Sequence, residues 1–370
     1  MSWSNAHSKS EALAACAHQA ARQGRADEAR RLFIEAAEAE QLALDQIGRD
    51  KPRTLGIIAI SAAALFYKGG DLARAGQVAH KMSAEPALPA FAHEELKSLL
   101  QAIWNEQARD GSGIEFAPGE VVVSVKGGQV VTGGAPLDLI VSKVQDIQSI
   151  YYRTVEMLKG MPHRTKGPVA KDIQDRYRPW LFQTVPGSYQ FIVAVQKPQQ
   201  HELFPSDNPE PELLTETFLS IVKAGAGDAA TMEQIVPDPT YRKTLLKLTQ
   251  NLAPTGKTFE AIAFRGPSDA SSVVLTYDTR KHIRDQLRPP RDTNAPSTDE
   301  VITGVLRAVD LEKDWLEVVR PEGDAVKVKN VGEVVDDLIG PMVNHRVNVT
   351  VRKSGHPKPK YQFIDIESDE

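Results

Sequence analysis

Ala20-Ala21-Arg22-Gln23-Gly24-Arg25-Ala26-Asp27-Glu28-Ala29 and Phe66-Tyr67-Lys68-Gly69-Gly70-Asp71-Leu72-Ala73-Arg74-Ala75 are the stretches that decide the N-terminal fold. In each, a run of good helix formers meets a glycine, and alanine-rich sequence resumes at once. The two then continue in step: Gly24, Ala29, Phe33 and Ala36 recur as Gly70, Ala75, Ala79 and Met82, 46 positions further on. A helix-turn-helix unit is therefore repeated.

Breaks at Gly24, Lys51-Pro52, Gly69-Gly70 and Pro86 to Pro89 divide Ser8 to Arg109 into about five helices. In the first hairpin Leu13, Ala17 and Ala20 make an apolar stripe against Ala29, Phe33 and Ala36. In the second, Ala59, Ala63 and Phe66 face Ala75, Ala79 and Met82. Small residues fall where the paired helices cross, because a larger side chain would force the axes apart. Phe91 to Trp104 supplies a capping helix, and Asn105 to Gly113 reads as a polar linker.

These residues resemble the tetratricopeptide repeat, in which a small residue, a turn glycine and two later alanines hold a helical hairpin together. The resemblance covers roughly Glu11 to Trp104. It departs from the family in its 46-residue period, against about 34 for the family, and in lacking the usual aromatic at the start of each repeat. The family implies that a peptide or partner protein binds a groove lined by the first helix of each hairpin. Carried onto this chain, that face includes Glu11, His18, Arg22, Tyr67 and Lys68. A packing shoulder or a dimer surface would use the same pattern, so a homo-oligomer is compatible with it.

Beyond the linker the pattern changes. Glu120 to Lys126 alternates, Gly127-Gly128 turns, and Gln129 to Thr132 returns, which predicts a β-hairpin. Leu137, Ile140, Val144, Ile147, Tyr151, Val155 and Leu158 then mark a long amphipathic helix. Trp180 to Thr184 and Gln190 to Val195 form a second predicted hairpin around Pro186-Gly187-Ser188. Helices at Glu212 to Lys223, Pro239 to Leu252 and Thr279 to Leu287, with strands at Thr258 to Phe264 and Ser272 to Tyr277, complete an α+β domain of mainly antiparallel sheet over 118–288.

No catalytic motif survives inspection. Gly256-Lys257-Thr258 copies the end of a phosphate-binding loop, but Asn251 stands where the first glycine is needed and a strand follows instead of a helix. Gly225-Ala226-Gly227 follows a helix, so no βα turn aims amides at a pyrophosphate. The histidines are scattered, and His163, His201 and His282 read as surface or turn residues without a metal-binding spacing. The acidic run Asp207 to Glu212 reads as a solvated loop, and Cys16 as an inert thiol on the apolar side of its helix.

A proline-rich stretch, Arg288 to Ser297, precedes the last domain, 298–370. Strands at Val301 to Ala308, Trp315 to Arg320 and Ala325 to Lys329, a helix at Val331 to Ile339, and strands at Asn344 to Arg352 and Tyr361 to Ile366 are expected. Three strands, a helix and two strands resemble the OB-fold, with an SH3-like barrel as the competitor. The OB resemblance implies single-stranded nucleic-acid binding at Trp315, Arg320, Lys327, Lys329 and Arg346, with Lys353, Lys358 and Lys360 extending the basic stretch. The domain nevertheless carries more carboxylates than cations, a poor balance for phosphate attraction, and Trp315 reads as a core residue.

The whole is a multidomain α and α+β chain of 370 residues: a helical-hairpin array at 1–110, a central α+β domain and a small C-terminal barrel. A net charge of −5 gives no global bias toward nucleic acid, one cysteine allows no internal disulfide, and no apolar run reaches the roughly 20 residues a membrane span needs. The polar N-terminus lacks a secretion signal, which points to a cytoplasmic protein, and the Ala- and Arg-rich composition to a bacterial one. The leading expectation is a non-enzymatic adaptor, without cofactor or metal, whose helical arm docks a protein. The alternative is a nucleic-acid-binding regulator in a toxin-neutralising or phage-defence system. A third is an enzyme whose site assembles in the middle region.

Overall fold

The computed structural model describes residues 2–112, 114, 116, 119–131, 134–183, 189–197, 209–266, 272–287, 298–331, 336–354 and 360–369. It is mixed α and β, and the chain divides into two compact units, one from Met1–Ile114 and one from Glu115–Phe182 and Gly187–Glu370. The expected turn at 186–188, the proline-rich stretch 288–297 and the start of the last helix at 332–335 lie outside the described residues.

The first unit is five helices: α1 (Trp3–Arg22), α2 (Ala26–Gln46), α3 (Pro52–Lys68), α4 (Leu72–Ser83) and α5 (Ala90–Ser112). The repeat read in the sequence is present in the backbone bonds. Arg25 N–H donates to Ala20 O, and Asp71 N–H donates to Phe66 O, each at 3.0 Å. Gly24 and Gly70 both take positive φ, +75° and +82°, which closes a helix end with little strain only when the residue has no Cβ. Ala36, Ala59, Ala63, Ala75 and Ala79 are fully buried, as the helix crossings require. The polar stretch expected to be a linker is helical instead. Nothing from Asn105 to Asp110 breaks a helix, so α5 continues to Ser112.

In the second unit a five-stranded sheet has the order β2-β3-β1-β4-β5, with β1 Val121–Lys126, β2 Pro179–Gln183, β3 Tyr189–Val195, β4 Ala261–Arg265 and β5 Val273–Thr276. The predicted hairpin after Lys126 does not form. β1 lies at the centre, antiparallel to β3 (Val123 opposite Phe191) and to β4 (Val123 opposite Phe264), and Gln129 N–H bonds to Thr258 O at 2.8 Å. Val121, Val123 and Val125 are completely buried, a burial that a two-stranded ribbon does not provide.

The sheet is accompanied by α6 (Leu137–Leu158), α7 (Lys171–Tyr177), α8 (Pro211–Ala226), α9 (Ala229–Ile235), α10 (Pro239–Leu252) and α11 (Tyr277–Leu287). Tyr151 of α6 stacks flat on Phe218 of α8, centroids 4.3 Å apart. The seven-residue α7 and α9 are too short to show a helical period in sequence. Asp228 starts α9 by accepting from Thr231 N–H at 2.8 Å.

The remaining strands, β6 (Thr298–Asp310), β7 (Trp315–Val319), β8 (Ala325–Lys329), β9 (Arg346–Ser354) and β10 (Lys360–Ser368), close a barrel in the order β10-β8-β7-β6-β9. β8 and β10 run parallel, and the other pairings are antiparallel. α12 (Asp336–Ile339) and a 3-10 turn (Gly340–Met342) lie between β8 and β9. Leu306, Leu316, Val318, Val328, Val347, Val349 and Val351 fill the interior.

Buried charges join this barrel to the helices of the same unit. Arg153 is fully buried and its guanidinium meets Asp337, while Arg164 bridges Glu156 at 2.8 Å and Asp337 at 3.0 Å. Lys247 bonds Asp365 at 2.6 Å, and Gln250 Nε2 donates to Glu367 at 2.6 Å. Arg280 donates to the carbonyls of Gln250 and Ala253, both at 2.9 Å, and so closes the end of α10.

Candidate functional site

Of the five residues expected on the docking face of the helical arm, His18 and Lys68 meet at one aromatic ring. His18 lies on α1 with its ring edge-on to Phe33 of α2, centroids 5.0 Å apart. Lys68, at the end of α3, places its ammonium 5.8 Å from the centre of the same ring. Arg22 is one turn beyond His18, and all three side chains are exposed. Partial desolvation by its neighbours, and then the charges of Lys68 and Arg22, hold the His18 imidazole below its ordinary pKa. It is therefore neutral at pH 7 and offers a donor and an acceptor.

Glu11 is 3.6 Å from His7 on its own helix, and Tyr67 is half-buried against the helical core. Phe33, read in the sequence only as a packing residue, organises the cluster. Its recurrence in the helical pattern was visible, but its ring edge could not be placed without the crossing of α1, α2 and α3.

Cys16 is exposed, not buried as its position beside Ala17 suggested. The buried stripe of α1 runs through Ala6, Ser10, Ala17 and Ala20, and Cys16 falls off its edge.

On the barrel, Trp315 and Lys329 are opposite one another across β7 and β8, and Lys327 places its ammonium 3.5 Å from the Trp315 ring centre. Since Leu316, Val318, Val326 and Val328 point inward, these three occupy the outer face. Trp315 is thus a half-exposed surface residue and not part of the core. Arg320 is engaged by Asp324 at 3.5 Å and Glu300 at 3.8 Å, and Arg346 by Asp369 at 3.6 Å. Three of the five predicted residues form a patch, and the other two are committed to carboxylates. Lys358 and His201 lie outside the described residues.

His163 is not a simple surface residue. Its Nε2 lies 2.9 Å from Thr244 Oγ1, and its ring packs edge-on to Tyr241 at 5.0 Å. Burial, followed by the nearby Arg153, lowers its pKa. His282 is exposed, with Nε2 2.8 Å from Gly227 O. Lys257, from the rejected phosphate-loop look-alike, bonds Asp369 at 2.7 Å.

Sequence reading missed a cleft of about 810 Å³ in the second unit, walled by α10, the end of α11 and β10. Its lining extends from Pro239 to Ile366, so no local motif announces it. Among the described residues no group of three or more His, Cys, Asp or Glu is placed to hold a metal ion, and no helix is long and apolar enough to cross a membrane. No protein-family model, curated protein or solved structure matches the chain.

Proposed function

We propose that this chain is a non-enzymatic interaction protein whose helical arm, a divergent tetratricopeptide-type array, docks an acidic segment of a partner protein. One observation carries the reading: His18 and Lys68, from two different helices, meet at Phe33, Arg22 adds its charge beside His18, and among the described residues none of the three is in an ion pair. Elsewhere in the unit Arg49, Arg74 and Lys81 are matched with Glu85, Glu38 and Asp45 at 3.1, 2.8 and 3.6 Å. Exposed cations without an internal carboxylate suit a carboxylate-bearing peptide, which gains charge-assisted hydrogen bonds without displacing an internal partner.

The test is cross-linked capture of a partner by the full chain, compared with the Arg22→Glu, Lys68→Glu double variant. Capture lost in that variant, and kept when Lys327 and Lys329 are replaced by glutamine, supports the arm. Capture indifferent to Arg22 and Lys68 overturns it.

The barrel supports a second reading, a nucleic-acid-binding regulator. Its circular order β6-β7-β8-β10-β9, the parallel β8–β10 pair and the helix before β9 favour an OB-type barrel. Trp315, opposite Lys329 and under the ammonium of Lys327, lies on the outer face of β7 and β8, where such barrels stack bases. Binding of labelled single-stranded RNA or DNA that weakens with salt and disappears in Lys327→Gln, Lys329→Gln would favour this reading. Its absence at 50 mM salt would dismiss it.

A further inference from the structure

The cleft of the second unit is independent of both surfaces above and has a chemistry of its own. At about 810 Å³ it falls within the range of small-molecule sites. Leu246, Leu287, Leu338 and Phe363 give it an apolar wall. Five cations reach it, Arg242, Lys243, Lys247, Arg284 and Arg352, against the carboxylates of Asp314 and Asp365.

Some of this charge is already used. Lys247 holds Asp365 at 2.6 Å, and Arg242 donates to the carbonyls of Val236 and Pro237 at 3.0 and 3.2 Å. Arg284 and Arg352 are used less fully. Arg284 Nε is shielded from water without a hydrogen-bond acceptor among the described residues, although such a donor ordinarily finds one. Arg352 Nε also lacks a hydrogen bond, with Asp299 only loosely paired at 3.5 Å. Oδ1 of Asp314 is shielded and has no donor. Lys243 adds a further positive charge, its pKa lowered by burial against the opposing attraction of Asp365.

We propose that this cleft binds a phosphate-bearing small molecule of nucleotide size, with its phosphate on Arg284, Lys243 and Arg352 and a hydroxyl or amino group donating to Asp314. Cations from three separate elements, α10, α11 and β9, suit an anion with charge spread over several oxygens better than a single carboxylate. The apolar wall gives the uncharged half of the ligand a surface to cover. Asp314 adds selection, because an anion without a donor leaves its oxygen unsatisfied.

Calorimetric titration of the full chain with ATP, inorganic pyrophosphate and adenosine tests this. ATP and pyrophosphate are expected to bind and to compete, with adenosine silent at the same concentration. Arg284→Gln should weaken ATP by about tenfold or more, the size of one lost charge-assisted hydrogen bond, while Lys327→Gln on the outer barrel face changes nothing. If Arg284→Gln fails a folding check by circular dichroism, Arg352→Gln takes its place. The proposal is overturned if neither phosphate compound binds at millimolar concentration, if adenosine binds as tightly as ATP, or if binding survives loss of the arginine intact.

Discussion

Nε of Arg153 donates to Oδ2 of Asp337 at 2.7 Å across 184 positions of sequence. The arginine, near the end of α6, is completely buried, and the side chain of the aspartate on α12 is 16% exposed. Removing one member of a buried pair leaves the other charged without full compensation, which typically costs about 3–5 kcal/mol. Asp337→Ala should fall near the lower end, about 3 kcal/mol, because Glu156 remains 3.4 Å from Arg153. Asp337→Asn, which keeps an acceptor, should lose less. Urea denaturation measures both, and equal stability of Asp337→Ala and wild type would show that the pair contributes nothing.

His163 makes stability depend on pH. Its folded pKa lies below the ordinary 6.5, so the unfolded chain takes up the proton first as the pH falls. The sign follows: stability is full above the unfolded pKa and is lost as the pH drops through 6.5 toward the folded value. The denaturation midpoint should therefore be lower at pH 5.5 than at pH 7.5, and His163→Gln should narrow that gap. A gap of unchanged size in the variant would remove His163 from the account.

Two glycines should respond differently to alanine. A Cβ on Gly304 would stand 2.4 Å from Val319 O and 2.7 Å from Val318 Cγ1, on the β6–β7 pair of the barrel. On Gly70 it would meet nothing within 4 Å, and only the positive φ would resist. Gly304→Ala is expected to cost about 3 kcal/mol, the upper range for overpacking, and Gly70→Ala about 1 kcal/mol. The reverse order in chemical denaturation would contradict both arguments.

Cys16 is the sole cysteine and is exposed. Native protein should therefore release one equivalent of thiolate colour with a disulfide reagent such as dithionitrobenzoate before any denaturant is added. A thiol that reacts only after unfolding would return Cys16 to the buried side of α1.

The helices were legible because their signals are local. Gly24 and Gly70 announce the turns, and Leu137 to Leu158 states its period over six turns. The barrel's strands were legible for the same reason, since Leu316, Val318, Val326 and Val328 alternate inward. Pairing over distance was not. Val123 has partners at Phe191 and Phe264, and nothing near Lys126 reveals that Gln129 turns aside to Thr258. Sidedness failed at Cys16 and Trp315, where one position on a helix or strand decides between core and solvent. The cluster at Phe33 was half visible: the repeat pattern put His18, Arg22 and Lys68 on one face, but the meeting of His18 and Lys68 at the Phe33 ring depends on how α1, α2 and α3 cross.

β10 supplies Asp365 to Lys247 and Glu367 to Gln250, partners 118 and 117 positions later in the chain. During synthesis α10 therefore leaves the ribosome long before the carboxylates that complete it. Until β10 emerges, Lys247 has no Asp365 and β8 and β9 share no closing strand. The helical arm, with its local contacts, can finish folding while the second unit waits. A nascent chain stalled before Lys360 should thus carry a native arm and a second unit open to proteases.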